Sequence, residues 1–118
     1  MCVGTNGVYI EEHSVGWEAV PISFKANLKG WHNITVIYLN RIPSLYIDGN
    51  LMQIGLQSSR NIFGSLAPDK YSIYTKSGFG AGYNPGSGTL QYFEGKIDEI
   101  RFYKRALSQS EILYLATH

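Results

Sequence analysis

The chain has 118 residues, and ten basic and nine acidic side chains give it a formal net charge of +1. This balance argues against a strongly basic surface for nucleic acid, and no apolar run approaches the roughly 20 residues that span a bilayer. The single cysteine, Cys2, excludes an internal disulfide framework and a zinc site with more than one cysteine ligand. We expect one domain over residues 1–118.

The first part of the chain is predicted to form short β-strands, because Tyr, Ile, Val and Phe alternate with turn residues. Residues 8–10 follow the turn dipeptide Asn6-Gly7 and form the first predicted strand. Residues 19–24 form the second, and Pro21 inside it cannot donate to a sheet ladder. The second strand is therefore expected at a sheet edge or with a break.

The strongest strand pattern covers residues 31–39, where Ile34, Val36 and Tyr38 alternate on one face. A loop is predicted over residues 40–44, around Pro43. Residues 45–47 and 51–54 then form two strands joined by a hairpin turn at Asp48-Gly49.

The second part of the chain is less regular until its end. It contains a predicted loop near Pro68-Asp69, a short strand at residues 71–74, and a glycine-rich loop or bulged strand over residues 77–88. The last strand is predicted over residues 92–103. A capping box at Ser108 and Glu111 then starts a helix of about two turns that ends near Thr117. Many short antiparallel strands with one C-terminal helix indicate a sandwich or jelly roll.

Three segments carry a resemblance to a known family. They are WHNITV at residues 31–36, LYIDGNL at residues 45–51 and FEGKIDEIRFYKRALS at residues 93–108. Their order and spacing resemble the laminin G-like domains of the concanavalin A-like lectin/glucanase superfamily, which have a Leu-Tyr-Val-Asp-Gly hairpin and a closing strand of the form Gly-x-Ile-Asp-Glu-Val-Arg-Ile-Tyr. The segment GTNGV at residues 4–8 is also similar to a mid-domain strand entry in bacterial members.

The resemblance implies an all-β, antiparallel two-sheet jelly-roll sandwich, here shortened, because family domains have several strands before the segment that opens this chain. Three explanations remain open: a fragment, a reduced sandwich, or an oligomer in which a second chain covers the exposed sheet edges. We expect a homo-oligomer, most simply a dimer. Residues 1–9 lack the basic start and long apolar stretch of a signal peptide, and the resemblance implies an extracellular or cell-surface location if the chain is a fragment.

Asp98 is the main candidate for a metal ligand. Alternation places it on the same strand face as Ile100, so the carboxylate is buried if that face is the core, and a buried charge needs a partner. The resemblance implies either structural hydrogen bonding, which we favour, or a Ca²⁺ site, for which no dense acidic loop supplies the six to eight oxygens required. Glu11 and His13 are a weaker metal pair on one strand face.

Other residues have mainly structural interpretations. Asp48 is expected to hydrogen-bond its own turn backbone, and Trp31 is expected in the core rather than as a ligand platform. His32 is expected to be satisfied or exposed. Aromatic side chains in or beside loops are the candidates for stacking on a sugar ring; they are Trp17, Tyr71, Tyr74, Phe79, Tyr83 and Tyr92.

The predicted function is therefore a non-catalytic, lectin-like binding module for a carbohydrate or protein ligand. This rests on family analogy, since a fold does not determine a function. One alternative is a self-assembling structural protein. A remote one is a degenerate glucanase, because Glu94, Asp98 and Glu99 do not give two acids on one cleft face.

Overall fold

The computed structural model of the chain describes residues 1–14, 17–61, 80–84 and 89–118. Of these, the side chains of residues 13, 14, 17, 81–84 and 89–91 are not described. The elements, in chain order, are β1 (Cys2–Gly4), β2 (Gly7–Ser14), β3 (Trp17–Lys25), β4 (Ile34–Leu39), β5 (Ile42–Ile47), β6 (Asn50–Ile54), β7 (Ala81–Asn84), β8 (Thr89–Tyr92) and α1 (Gln109–Thr117).

The chain divides into two compact units. The first unit comprises Met1–Phe63 and Tyr103–His118, and the second comprises Gly64–Phe102. The first unit contains two antiparallel three-stranded sheets, with strand orders β1-β2-β3 and β4-β5-β6. The described residues are mostly β structure in antiparallel sheets with one short helix, and this confirms the fold class predicted from the sequence.

Two tight hairpins frame β5. The turn between β4 and β5 consists of Asn40 and Arg41, with φ of 51° and 67°, and the turn between β5 and β6 consists of Asp48 and Gly49, with φ of 51° and 79°. Two successive positive φ values suit the right-handed twist of the flanking strands. The Asp48-Gly49 hairpin is confirmed.

The loop predicted over residues 40–44 is wrong, because the first of these turns needs only two residues and β5 begins at Ile42. Pro43 lies inside β5, where the absence of its N–H is tolerated and its carbonyl accepts from the Gly55 amide at 2.8 Å. The short turn therefore makes β5 longer than its apolar residues indicate.

Pro21 lies where the pairing of β2 with β3 changes register. Ile10 pairs with Ile22 but Glu12 pairs with Ala19, so β3 has one extra residue in this interval. In the described part of the chain, β3 also lies at the edge of its sheet. Both properties expected from Pro21, an edge position and a break, are confirmed.

The core of the first unit lies between its two sheets. Side chains of β2 and β3 pack with those of β5, and Ile22 and Leu45 are completely buried. Full burial of one such side chain contributes about 1.5–3 kcal/mol. The face of β4 that carries Ile34 and Val36 packs against this core, as its alternation predicts. The buried cluster comprises Val8, Ile10, Ile22, Leu28, Leu45 and Ile47.

Helix α1 begins as the sequence predicts. The Ser108 side chain accepts from the Glu111 amide, and the Glu111 side chain accepts from the Ser108 amide at 2.8 Å, which completes the capping box. Ile112 is fully buried, and the side-chain amide nitrogen of Gln109 donates to the Gly49 carbonyl at 2.8 Å. The helix thus docks on the β5–β6 turn. In the described part of the chain, no helix is long and apolar enough to cross a membrane.

The second unit contains β7 and β8, which pair antiparallel as a two-stranded sheet. The strand predicted over residues 92–103 is wrong beyond Tyr92, since the described residues 93–103 form no strand. Glu99 has a φ of 54°, and the Asp98 carboxylate accepts the Glu99 amide at 2.8 Å. A local side-chain bond of this kind takes an amide away from a sheet ladder. The predicted strand at residues 71–74 and the loop near Pro68 lie outside the described residues.

Candidate functional site

A small groove opens where β2 and β3 meet the segment that follows β6. Its volume is about 210 Å³. We call it the Glu12 groove, because Glu12 is the charged side chain that lines it. Its other lining residues are Ala19, Val20, Pro21, Leu56, Gln57, Ser58 and Ser59.

Glu12 is 6% exposed, although it is a carboxylate. The Tyr38 hydroxyl donates to its Oε1 at 2.7 Å, but its buried Oε2 has no hydrogen-bond partner. Burial, and then the hydrogen bond to Glu12, raise the pKa of Tyr38 well above its usual value. Tyr38 therefore remains a proton donor to Glu12 over the whole physiological range.

The polar groups around this groove are tied to neighbouring backbone. The Gln57 amide nitrogen donates to the Asn40 carbonyl at 2.9 Å. The Ser58 amide donates to the Arg41 carbonyl at 2.8 Å, and the Ser58 hydroxyl oxygen accepts the Arg60 amide at 3.2 Å. These bonds anchor the segment after β6 to the β4–β5 turn and fix the wall of the groove.

A second groove, of about 290 Å³, lies along α1. We call it the tyrosine groove, because Tyr103 and Tyr114 line it and are 47% and 61% exposed. The Tyr114 ring also stacks on His118, with ring centres 4.1 Å apart. The remaining lining residues are Leu107, Ser110, Glu111 and Leu115.

Glu111 in the tyrosine groove is held by several donors. The Arg105 guanidinium donates to both of its carboxylate oxygens, at 2.9 and 2.6 Å. The bond from Arg105, followed by those from Ser108, lowers the pKa of Glu111 to about 2. Glu111 is therefore ionised and fixed in position at neutral pH.

A third polar cluster joins the start of β4 to the β5–β6 turn. His32 Nδ1 donates to Asp48 Oδ2 at 2.8 Å, and the Asn33 amide donates to Asp48 Oδ1 at 2.8 Å. The prediction that the Asp48 carboxylate bonds its own turn was wrong, because the hairpin brings it beside the neighbouring strand. His32 is satisfied, as expected, since Nε2 lies 3.2 Å from the Lys29 carbonyl.

Trp31, beside this cluster, is 67% exposed. Its predicted place in the core was wrong, because β4 begins only at Ile34 and strand alternation does not extend back to Trp31.

Residues 4–113 match a laminin G family model that is described as the concanavalin A-like lectin/glucanases superfamily. The chain belongs to this superfamily. The match confirms the resemblance that the sequence segments indicated. None of the curated proteins compared with the chain matches it.

The solved structures include one similar chain, an S-layer domain-containing protein (residues 221–444) from Clostridium thermocellum ATCC 27405. Its sequence identity is 22% and its TM-score is 0.44. The similarity covers 85% of this laminin G-like chain and 45% of that one, so the chain spans less than half of the S-layer structure.

The predicted aromatic ligand residues fall mostly outside the described side chains. Tyr92 is 72% exposed at the end of β8. Trp17 and Tyr83 lie on β3 and β7, but their side chains are not described. Tyr71, Tyr74 and Phe79 lie outside the described residues. Their role as ligand contacts remains a prediction.

Asp98 is exposed rather than buried, because the strand expected around it does not form in the described residues. One oxygen of its carboxylate, Oδ1, accepts the Glu99 amide at 2.8 Å. Among the residues that the structure describes, no three His, Cys, Asp or Glu side chains are grouped to hold a metal ion. Ca²⁺ binding at Asp98 therefore remains a prediction that no described side chain supports.

Sequence reasoning missed both grooves of this superfamily member. Glu12 follows Val8 and Ile10 at a spacing of two, which indicates an inward-facing carboxylate. The sequence interpretation instead considered its neighbours Glu11 and His13 as a metal pair. Tyr103 and Tyr114 stood in a predicted strand and a predicted helix, where tyrosines usually pack. Only the fold shows that they line the same groove.

Proposed function

We propose that the chain is a non-catalytic, lectin-like binding module that holds a carbohydrate in the tyrosine groove. The observation that supports this proposal is the pair of partly exposed rings, Tyr103 and Tyr114, in one groove with a carboxylate fixed in its ionised form. Superfamily membership is consistent with a binding module.

The chemistry of the groove suits a sugar ring. Tyrosine offers an apolar face and a polar hydroxyl, which match the apolar and polar faces of a sugar. Glu111 accepts from ligand hydroxyls, and Ser110 both donates and accepts. Because Arg105 already fixes Glu111, binding does not have to order that side chain. A volume of about 290 Å³ lies at the small end of ligand pockets, which favours one or two sugar rings.

We propose no catalytic role for this groove. A retaining glycosidase needs two carboxyl groups about 5–5.5 Å apart, one of them able to carry a proton. Glu111 is the one acidic residue among those lining the groove, and its pKa of about 2 makes it a poor proton donor at neutral pH.

Binding to a broad glycan array, followed by titration calorimetry on each hit, tests the proposal. Tyr114→Ala is expected to weaken binding about fivefold, since stacking on an aromatic ring contributes about 1 kcal/mol. Tyr114→Phe keeps the ring and retains most of the affinity. Tyr92→Ala separates the two candidate sites, because it removes an exposed tyrosine of the second unit that belongs to the predicted loop aromatics.

Two outcomes contradict the assignment. An absence of signal on the array, with and without Ca²⁺, removes the carbohydrate proposal. Loss of binding in Tyr92→Ala but not in Tyr114→Ala places the ligand at the predicted loop aromatics instead.

Self-assembly is a second candidate function, and exposed side chains on β6 favour it. In the described part of the chain, β6 pairs only with β5 and forms a sheet edge. Leu51, Met52 and Ile54 on this strand are 48%, 40% and 62% exposed, and an apolar edge is a template for pairing with another chain. Light scattering of the wild type and of Ile54→Lys tests this. A stable wild-type monomer at high concentration excludes it.

A further inference from the structure

The most unusual group in the first unit is the carboxylate of Glu12. Only 6% of its surface is exposed, so more than nine-tenths of the residue is buried. One of its oxygens has a donor and the other, Oε2, has none. A buried acceptor without a donor destabilises the fold, and more so when the group is charged. Tyr38 provides a hydrogen bond but no positive charge.

No basic residue of the described part of the chain forms an ion pair with Glu12. The ion pairs there belong to Asp48, Glu99 and Glu111. Arg41, whose carbonyl accepts from the Ser58 amide beside the groove, directs its guanidinium to the Ser59 carbonyl, 3.5 Å away. A buried carboxylate is stabilised when a counter-charge reaches it, so the unpartnered Oε2 favours interaction with a cation from outside the chain.

The other polar side chains that line the groove are uncharged. The Gln57 amide nitrogen donates one hydrogen to the Asn40 carbonyl, and the amide oxygen remains an acceptor. The Ser58 and Ser59 hydroxyls can each donate and accept. An ammonium group offers three donors and a positive charge, so it complements the Glu12 carboxylate better than a hydroxyl does.

The size of the groove limits the ligand. About 210 Å³ is below the 300–1,000 Å³ that holds a drug-sized molecule. The apolar walls from Ala19, Val20 and Leu56 suit the carbon atoms next to an amine. The terminal torsion of a glutamate side chain is broad, so a rotation of the Glu12 carboxylate is enough to present an oxygen to a ligand in the groove.

We infer that the Glu12 groove is a binding site for the primary ammonium group of a small ligand, with Glu12 as its counter-ion. The site is separate from the tyrosine groove and does not depend on the function proposed there. The same chemistry is present in an amino sugar and in a lysine side chain, and the experiment distinguishes these two sources.

The test measures binding of four probes to the whole chain by amide chemical shifts and calorimetry. The first pair is glucosamine and N-acetylglucosamine, and the second is Nα-acetyl-lysine amide with and without acetylation of its ε-amine. Each pair differs in the ammonium group. We expect at least one amine to shift the amides of Val20 and Ser58 and to bind at least tenfold more tightly than its acetylated counterpart. The free amine that binds more tightly shows whether the ligand is an amino sugar or a lysine side chain.

Variants test the role of Glu12 itself. Glu12→Gln keeps the size of the side chain and an acceptor for Tyr38, but places an uncharged amide opposite the ligand, so affinity is expected to fall about tenfold or more. Glu11→Gln is the matched control, because Glu11 is the neighbouring residue, carries the same charge and is exposed. This variant should leave the affinity within a factor of two. A thermal unfolding curve verifies that each variant is folded.

The inference fails if both amines bind no better than their acetylated forms, or if folded Glu12→Gln binds the amine as tightly as the wild type. The comparison of the acetylated and free amines on the wild type remains decisive even if Glu12→Gln does not fold.

Discussion

Two carboxylates of the first unit, Asp48 in the β5–β6 turn and Glu12 on β2, differ in their exposure and in their hydrogen-bond donors. Asp48 has a side chain that is 48% exposed, and both of its oxygens accept hydrogen bonds, from His32 and from the Asn33 amide. Glu12 is buried, and only one of its oxygens has a donor. The exposed carboxylate is thus the satisfied one, although water is available to it, while the buried one lacks a donor.

This difference separates structure from function. The bonds of Asp48 connect the start of β4 to the β5–β6 turn, so its place is explained by the fold alone. Glu12 is not explained in this way, since an apolar side chain in its position avoids the cost of burying a charge. A buried charged residue that destabilises the fold without a structural reason is a candidate ligand-binding residue.

The largest effect is expected at Gly55, where the residue after β6 packs closely against β3. A Cβ on Gly55 would lie 2.6 Å from the Pro21 carbonyl oxygen and 2.8 Å from the Ile22 side chain. Gly55→Ala is therefore expected to lower the free energy of unfolding by about 3 kcal/mol, measured by urea denaturation. The control is Gly4→Ala, where the new Cβ meets a movable Asn6 side chain. Equal losses in both variants mean that the sheets do not approach closely at Gly55.

The next effect concerns the donor to Glu12. Tyr38→Phe leaves both oxygens of the buried carboxylate without a donor and is expected to cost about 2 kcal/mol. Tyr46→Phe, a half-buried tyrosine on β5, is the control. Adding Glu12→Met to Tyr38→Phe removes the buried charge, so the double variant should be more stable than Tyr38→Phe alone. A double variant that is less stable contradicts the contrast between the two carboxylates.

A smaller effect is expected at Asp48. This residue has a φ of 51°, in the left-handed region that asparagine tolerates and alanine does not. Asp48→Ala should therefore cost about 1 kcal/mol more than Asp48→Asn from the backbone alone. Chemical denaturation of the two variants measures this difference. Identical stabilities indicate that the turn changes its conformation on substitution.

The smallest effect is a pH dependence of the His32–Asp48 pair. Both ring nitrogens of His32 face oxygen acceptors, which only the protonated ring satisfies. The hydrogen bond to Asp48 raises the pKa of His32 above 6.5. Partial burial alone would raise the pKa of Asp48, but the bonds from His32 and Asn33 outweigh it and lower that pKa below 3.8.

These shifts fix the pH range in which the pair stabilises the fold. The contribution of His32 is complete below its unfolded pKa of about 6.5 and is lost as pH rises through its higher folded value. That of Asp48 is complete above its unfolded value of about 3.8 and is lost as pH falls through its lower folded value. The stability advantage over His32→Gln is expected to be largest near pH 5 and smaller at pH 8. A constant difference across this range contradicts an ionic pair.

Much of the first unit could be predicted from local sequence. Asp48-Gly49 specifies a hairpin, Ser108 and Glu111 specify the start of a helix, and Pro21 specifies an interrupted edge strand; the structure confirms each. These predictions succeeded because each feature depends on residues close in sequence. The strand predicted over residues 92–103 failed beyond Tyr92, because a strand also needs a partner, and a partner is not encoded locally.

The sequence by itself therefore determined the superfamily, the antiparallel β class and the turns, since these follow from alternation, turn residues and a matched segment order. The tertiary structure alone decided which side chains meet. It placed Tyr38 against Glu12 across 26 positions of the chain and Gln109 against Gly49 across 60. It also left Trp31 exposed. Residues that are distant in sequence determine which side chains are buried and which form hydrogen bonds, so both candidate grooves could be identified only from the fold.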